Sequence, residues 1–285
     1  MTLATLVEVA NLKSKLLRVQ GWVCEMKFAR YATNGKVSYG IVEKNTIRQI
    51  KGDLLGKLSF TGSECPLSEV KLLAPFMPSK ILAMALNYKS HLGSSPAPAK
   101  PEPFYKVATC VIGPGDTIIL PKGSIRVEEE AELVVVIGKR CSKVSKAEAM
   151  DYVMGYTCGN DVSARDWQKG DVQWWRAKSS DTFGPIGPCI VTDIDCSRLD
   201  VWARVNGKVV QHCNTSELLF DVQTLVSFIS KVVTLLPGDM IFTGTSGAPA
   251  QLNDGDKVEV EIEGIGLLSN PVKACLLYTS DAADE

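Results

Sequence analysis

The sequence predicts an α+β fold in which strands dominate: a small N-terminal α+β module over residues 1–72 and a larger β-rich domain over residues 73–274. Three observations lead there. Short runs of alternating apolar and polar side chains recur, joined by pairs such as Asn34-Gly35 and Asn206-Gly207 that supply the positive φ angles of tight hairpin turns. A continuous apolar run at 133–137 has the length and β-branched content of a buried strand. Helical spacing is confined to short stretches, the clearest at 221–231, where Val222, Leu225, Val226 and Ile229 fall on one face.

Composition narrows the class. At 285 residues the chain has room for one large domain and a small companion. A net charge of -1 without a basic stripe argues against a nucleic-acid partner. No apolar run reaches membrane-spanning length, and the first ten residues carry neither a basic start nor a cleavable apolar core, so a cytoplasmic protein without a membrane partner is expected. The nine cysteines are scattered and never spaced C-x-x-C, which suits small buried hydrophobes better than a disulfide framework or a zinc site. Only two histidines occur, His91 and His212, so any metal must be held mainly by oxygen.

In chain order, residues 31–40 read as a hairpin about Asn34-Gly35, followed by an alternating run at 46–50 and a Pro-punctuated linker at 73–78. Residues 80–86 form an apolar strand that delivers Asn87, Tyr88 and His91 at its end. Residues 94–103, rich in Pro, Ala and Ser, read as a loop or lid.

Residues 127–138 read as one strand, with Glu128, Glu130 and Glu132 sharing a face with Val134 and Val136, opposite Leu133, Val135 and Ile137. Carboxylates entering a core together cannot all stay ionised unless something positive neutralises them, and a hard divalent cation would do so. Taken alone, an E-x-E pattern is more often a solvated acidic run capping a strand.

Ser145 and Glu148 have capping-box spacing and predict a short helix through about Val153. A second polar concentration follows at Asp161, Arg165, Asp166 and Gln168, which read alone is equally an Arg-Asp paired loop packed on tryptophans. Lys178 sits in a loop that glycine and proline fix. The hairpin at 201–210, the helix at 221–231 and the strands at 240–242 and 258–262 complete the β-rich last third. His212 has no acidic or nucleophilic neighbour in sequence and reads as surface or structural. Residues 275–285 continue no periodicity and read as a non-native tail.

Taken in order, N-Y-x-x-H, P-F-Y-K with G-P-G-D, E-x-E-L-V-V-V-I-G, G-N-D-V-S-A-R-D-x-Q, K-S-x-D-T-F-G-P-I-G-P, F-T-G-T and D-G-D-x-V-E-V-E-I-E-G-I-G resemble the fumarylacetoacetate hydrolase family over residues 75–273. The resemblance implies a mixed β-sandwich roll, a homodimer, and a Mg²⁺ or Mn²⁺ site. By position it implies Glu130, Glu132 and Asp161 as metal ligands, Lys178 facing the substrate and His91 as the base. Arg165, Gln168 and Thr245 match positions that hold the substrate's polar groups, with Tyr88 and Lys106 beside them. The residue reading agrees on the metal, since three carboxylates suit a hard octahedral ion.

The resemblance implies small oxo acids or β-diketones as substrates, whose adjacent oxygens chelate a metal. Breaking the bond beside such a carbonyl leaves an enolate that cation and ammonium stabilise. The leading expectation is therefore carbon-carbon cleavage, by acylpyruvate-type hydrolysis or oxaloacetate-type decarboxylation. The alternatives are an isomerase or tautomerase of hydroxymuconate-like dienoates and, in another class, a non-catalytic oxo-acid-binding module. Three departures from the family pattern bear on the choice. Ser94 stands where many small members pair the histidine with a glutamate, Glu129 where an aromatic is common, and Ser246 where proline is common. Loss of that glutamate shifts weight from hydrolysis, which needs an activated water, toward chemistry that needs only the stabilised enolate.

Overall fold

The computed structural model describes residues 25–275. The expected tail at 275–285 lies outside them except for Cys275, whose N–H donates to the Leu120 carbonyl at 2.9 Å.

Apolar strands gather into a 12-stranded mixed sheet and a 5-stranded sheet. The large sheet is centred on Ala131–Ile137, fully buried along its length. On one side it pairs antiparallel with Val153–Asn160, and on the other with Met240–Phe242, which pairs parallel with Ile81–Ala85. Burial on both faces explains why 133–137 is uniformly apolar. Leu133, Val135 and Ile137 join one core with Val201, Ala203, Val260 and Ile262 of the small sheet, while Val134 and Val136 join another with Ile81, Ala83 and Phe242. The expected alternation of faces is found.

The expected hairpins form where the turn pairs predict them. Asn34 and Gly35 both take positive φ between Lys27–Thr33 and Lys36–Glu43, as do Asn206 and Gly207 between Asp200–Val205 and Lys208–Asn214. The described part of the expected N-terminal α+β module contains strands and one 3₁₀ turn and no α-helix. Its strands extend the large sheet, since Phe28 pairs with Ile190 of Gly184–Val191. Helices are few among the described residues: α1 (Arg165–Gly170), α2 (Trp175–Ser179) and α3 (Val222–Ser230). Asp221 caps α3 by accepting from the Thr224 N–H at 2.9 Å, and Val222, Leu225, Val226 and Ile229 are buried as expected. No described helix is long and apolar enough to cross a membrane.

Two expectations need correction. The strand expected over 127–138 is broken. Val127–Glu128 pairs with Ser163–Ala164 in a separate 2-stranded ribbon, and the large-sheet strand starts at Ala131. The break has a local cause: the Glu129 N–H goes to the Ala250 carbonyl at 3.2 Å and the Glu130 N–H to Asn160 Oδ1 at 2.9 Å, so neither joins the ladder. The helix expected through Val153 is a 3₁₀ turn, Ala149–Tyr152. Ser145 and Glu148 do bond reciprocally, but Val153 already begins the next strand.

Strand packing is close beside the break, at Gly159, which pairs with Glu132. A Cβ there would stand 2.6 Å from the Phe242 ring and closer still to Val134. Gly159→Ala should therefore destabilise the protein by about 1–3 kcal/mol through overpacking, seen as a lower denaturation midpoint at unchanged m-value.

Candidate metal centre

The break in the acidic segment builds the centre. Glu132 enters on Ala131–Ile137, Glu130 stands at the break, and Asp161 follows Asn160, which pairs with Ala131. The Asp161 N–H donates to the Glu130 carbonyl at 2.9 Å, placing the two side by side across the strands. One carboxylate oxygen from each of Glu130, Glu132 and Asp161 lies within 4.8 Å of the others, and all three residues are buried. A compact set of anionic oxygens fits a hard divalent cation, whose remaining positions water or substrate would fill.

Side-chain amides fix the backbone that carries these acids. Asn160 receives the Glu130 N–H, and Gln211 Oε1 receives the Ala131 N–H at 3.1 Å. Gln211 Nε2 donates to Thr245 Oγ at 3.0 Å and to the Ser246 carbonyl. The Gly244 N–H donates to Glu132 Oε2 at 2.7 Å. Asn160 lies inside a motif the sequence offers; Gln211 comes from the other sheet, and no local signal marks it.

Cations surround the acids unevenly. Lys178, expected in a loop, instead lies buried on the short helix α2, because its backbone N–H donates to the Trp174 carbonyl at 2.9 Å. Its ammonium donates to Glu130 Oε2 at 2.6 Å and Asp161 Oδ2 at 2.8 Å. Lys106 donates to Asp161 Oδ1 at 2.6 Å, to the Phe183 carbonyl at 3.1 Å and to the Lys178 carbonyl, so protein groups take all three of its donors. Arg165 reaches Glu128 with Nε and Glu130 with Nη2, both at 2.6 Å, and Gln168 with Nη1 at 2.9 Å.

Titration follows from this placement. Burial alone would raise the Glu130 carboxyl, but Lys178 and Arg165 override it and hold it well below the usual carboxylate range. Burial would likewise lower Lys178, yet Asp161 and Glu130 raise it. Glu132 has no ion-pair partner among the described residues. Burial, then the charges of Asp161 and Glu130, push its carboxyl well above normal. Its unmet charge is what a bound cation would neutralise. Glu129, one of the departures from the family pattern, is also buried and pushed up to about 8, with Oε1 on the Ala250 N–H and Oε2 unpartnered.

His91 sits on the 3₁₀ turn Lys89–His91, with Nδ1 2.7 Å from the Gly247 carbonyl and Nε2 4.0 Å from Glu130 Oε1. A carbonyl only accepts, so in the neutral ring Nδ1 carries the proton and Nε2 turns its lone pair toward the centre. Ser90 holds the same loop by accepting the Gly247 N–H at 3.1 Å. His91 borders two openings: a cavity of about 50 Å³ with Glu130, Gln168, Lys178 and Thr245, and an open cleft of about 450 Å³ with Arg126, Glu128 and Arg165.

Nine of the ten sequence-derived site residues thus meet around one centre. Tyr88 does not line either opening. It lies in the apolar core against Cys213, and burial raises its hydroxyl far above normal. Ser94 is exposed and lines neither opening. His212 is exposed, stacks on Trp202 and lies 3.5 Å from Asp200.

Comparison with known proteins agrees with this architecture. Residues 80–273 match the family described as fumarylacetoacetate (FAA) hydrolase C-terminal, and residues 26–75 match one described as Rv2993c-like, N-terminal. The chain is 43% identical over 222 residues to a mitochondrial oxaloacetate tautomerase of Bos taurus, covering 73% of this chain and 71% of the relative. A crystal structure named 5-carboxymethyl-2-hydroxymuconate delta-isomerase, from Mycobacterium smegmatis, superposes with a TM-score of 0.84 at 44% identity, covering 88% of this chain and all of the other. A maleylpyruvate hydrolase of Sphingobium sp. SYK-6, in complex with manganese(II) and pyruvate, superposes at 0.73 with 28% identity, covering 87% and 99%.

Because burial and the neighbouring carboxylates raise the Glu132 carboxyl, a proton competes with the cation for it, so Mg²⁺ or Mn²⁺ affinity should fall as pH is lowered, with proton release on uptake wherever that carboxyl is protonated. Calorimetry in two buffers of different ionisation enthalpy reads both effects. Asp161→Ala should weaken the metal by on the order of 100-fold or more; unchanged affinity would remove Asp161 from the ligand set.

Proposed function

For a chain that belongs to the fumarylacetoacetate hydrolase family, we propose divalent-metal-dependent keto-enol tautomerisation of a small 2-oxo acid of the oxaloacetate type. The observation that carries this reading is the setting of His91. Its Nδ1 rests on a neutral carbonyl, and the one carboxylate near its Nε2, at 4.0 Å, belongs to the metal-binding set. Moving a proton beside a polarised carbonyl needs a single base, which this imidazole supplies. Hydrolysis needs in addition a bound water activated as nucleophile, and among the described residues no carboxylate outside the metal-binding set lies beside His91 to orient the ring for that second task.

Glu130, Glu132 and Asp161 would hold the cation, which when bound polarises the 2-oxo group and favours its enolate. Lys178, fixed between Glu130 and Asp161, presents a second positive charge to the enolate oxygen. Phe104 covers Lys178 with its ring centre 5.2 Å from Nζ, and Trp174 packs edge-on against Phe104 at 5.3 Å, screening the ammonium from water. His91 Nε2 takes the proton from the carbon next to the oxo group and returns it to the enolate oxygen, leaving the molecule's mass unchanged. Gln168 and Thr245 border the same cavity, although the Thr245 hydroxyl already bonds the Ala131 carbonyl at 3.2 Å.

The relatives named for tautomerisation and isomerisation resemble this chain more closely than the maleylpyruvate hydrolase does, which supports the reading. Carbon-carbon cleavage is the second reading, because Lys178 would stabilise an enolate left by loss of CO₂ or an acyl group equally well.

Metal-stripped protein supplied with Mg²⁺ or Mn²⁺ should accelerate interconversion of enol and keto oxaloacetate, followed by ultraviolet absorbance, while releasing little pyruvate from oxaloacetate or acetylpyruvate. His91→Ala should slow that interconversion by about 10²–10⁴-fold. Pyruvate formed at a comparable rate would move cleavage to first place, and no metal-dependent change in either substrate would overturn both readings.

A further inference from the structure

The cleft beyond His91 holds a cation that the tautomerisation does not use. Arg126 precedes the short strand Val127–Glu128, its side chain is 62% exposed, and it borders the open cleft together with His91, Arg165 and Pro249. Its Nε and Nη2 both rest on Glu128 Oε1 at 2.6 Å. The other oxygen of that buried carboxylate is taken by Arg165 Nε at 2.6 Å. One carboxylate therefore steadies two guanidinium groups, and because Arg165 also pairs with Glu130, Arg126 is the one of the two turned toward the open cleft. Nη1 of Arg126 has no protein partner among the described residues.

Arg126 is also held by its main chain. Its carbonyl receives the Arg165 N–H at 2.8 Å, and Asp166 grips the preceding turn through Ser124 Oγ at 2.6 Å and the Ile125 N–H at 3.4 Å. Such a clamp places a flexible side chain before any ligand arrives, which lowers the entropy cost of using it. The cleft it borders meets the smaller cavity of the metal centre at His91. A 2-oxo acid anchored by its first carboxylate and oxo oxygen at the centre would extend past His91 toward this wall.

We propose that Arg126 is a second carboxylate-binding point that makes the site selective for 2-oxo dicarboxylates over monocarboxylates. The guanidinium offers its unused N–H groups to the distal carboxylate, a charge-assisted contact that a methyl terminus cannot make. The inference rests on the reading of the centre as a 2-oxo acid site and adds which members of that class it takes.

The test is equilibrium binding to metal-loaded protein by calorimetry, which does not depend on turnover. The probes are oxalate, which reports the metal end alone, 2-oxobutanoate as the monoacid, and 2-oxoglutarate as a diacid. The native protein should prefer diacid over monoacid by about tenfold, and Arg126→Gln should bring that ratio close to one. Arg126→Lys, which keeps the charge but not the fork, should retain part of the preference. Normal oxalate binding with an undiminished ratio in Arg126→Gln, or no diacid preference in the native protein, overturns the role of Arg126 and leaves the centre intact. Failure of the native protein to bind oxalate or 2-oxobutanoate overturns the 2-oxo acid reading, and this inference with it.

Discussion

The structure depends on keeping the carboxylates of Glu130, Glu132 and Asp161 together out of water, within 4.8 Å of one another. Like charges at such distances repel strongly in a medium that screens poorly, and removing one partner from a buried ion pair costs about 3–5 kcal/mol. Lys178 and Lys106 take up the charge of Asp161, and Lys178 and Arg165 that of Glu130, each through contacts of 2.6–2.8 Å. Glu132 is left over. With no ion-pair partner for it among the described residues, the protein's own cations balance this cluster incompletely, and the three clustered oxygens suit a divalent cation.

A cluster under that much repulsion must be held by something other than its own attractions. The large sheet supplies a rigid base in Ala131–Ile137 and its neighbours, and amide side chains bind the loose backbone around it. Asn160 and Gln211 receive the N–H groups that the strand break frees at Glu130 and Ala131, so the break leaves neither donor unpaired. Gln211 also bonds Thr245 and Ser246, tying the acidic segment to the loop that carries Gly244 and Gly247. Through that loop the orientation of Glu132 and of His91 are linked.

The division of labour around the centre follows from which groups are already satisfied. Lys106 has spent its donors on protein acceptors and acts on Asp161 from behind. Lys178 is also paired, but it lies at the edge of the small cavity, where an oxyanion would meet its charge. His91 keeps one nitrogen uncommitted and faces both openings. Arg165 works inward on Glu130, whereas Arg126, on the other oxygen of Glu128, works outward. The small cavity with Lys178 and the open cleft with Arg126 thus both border one imidazole.

Much was legible in the sequence, and the reason differs by element. Alternation, the Asn-Gly pairs and the Asp221 cap determine hairpins, strands and α3 through local conformational preferences that need no distant partner. The order of motifs identified nine of the residues that gather at the centre, because those side chains lie on short segments that carry their own chemistry. Tyr88 lies in the core because a strand end supplies both core and cavity residues, and packing against Cys213 decides between the two. The strand break, the amide clamp from Gln211 and the pairing of Arg126 with Arg165 across Glu128 were decided by tertiary structure alone. Each depends on a hydrogen bond between residues about 30 or more positions apart in the chain, and spacing along a sequence carries no record of which distant donors will be left facing one buried acceptor.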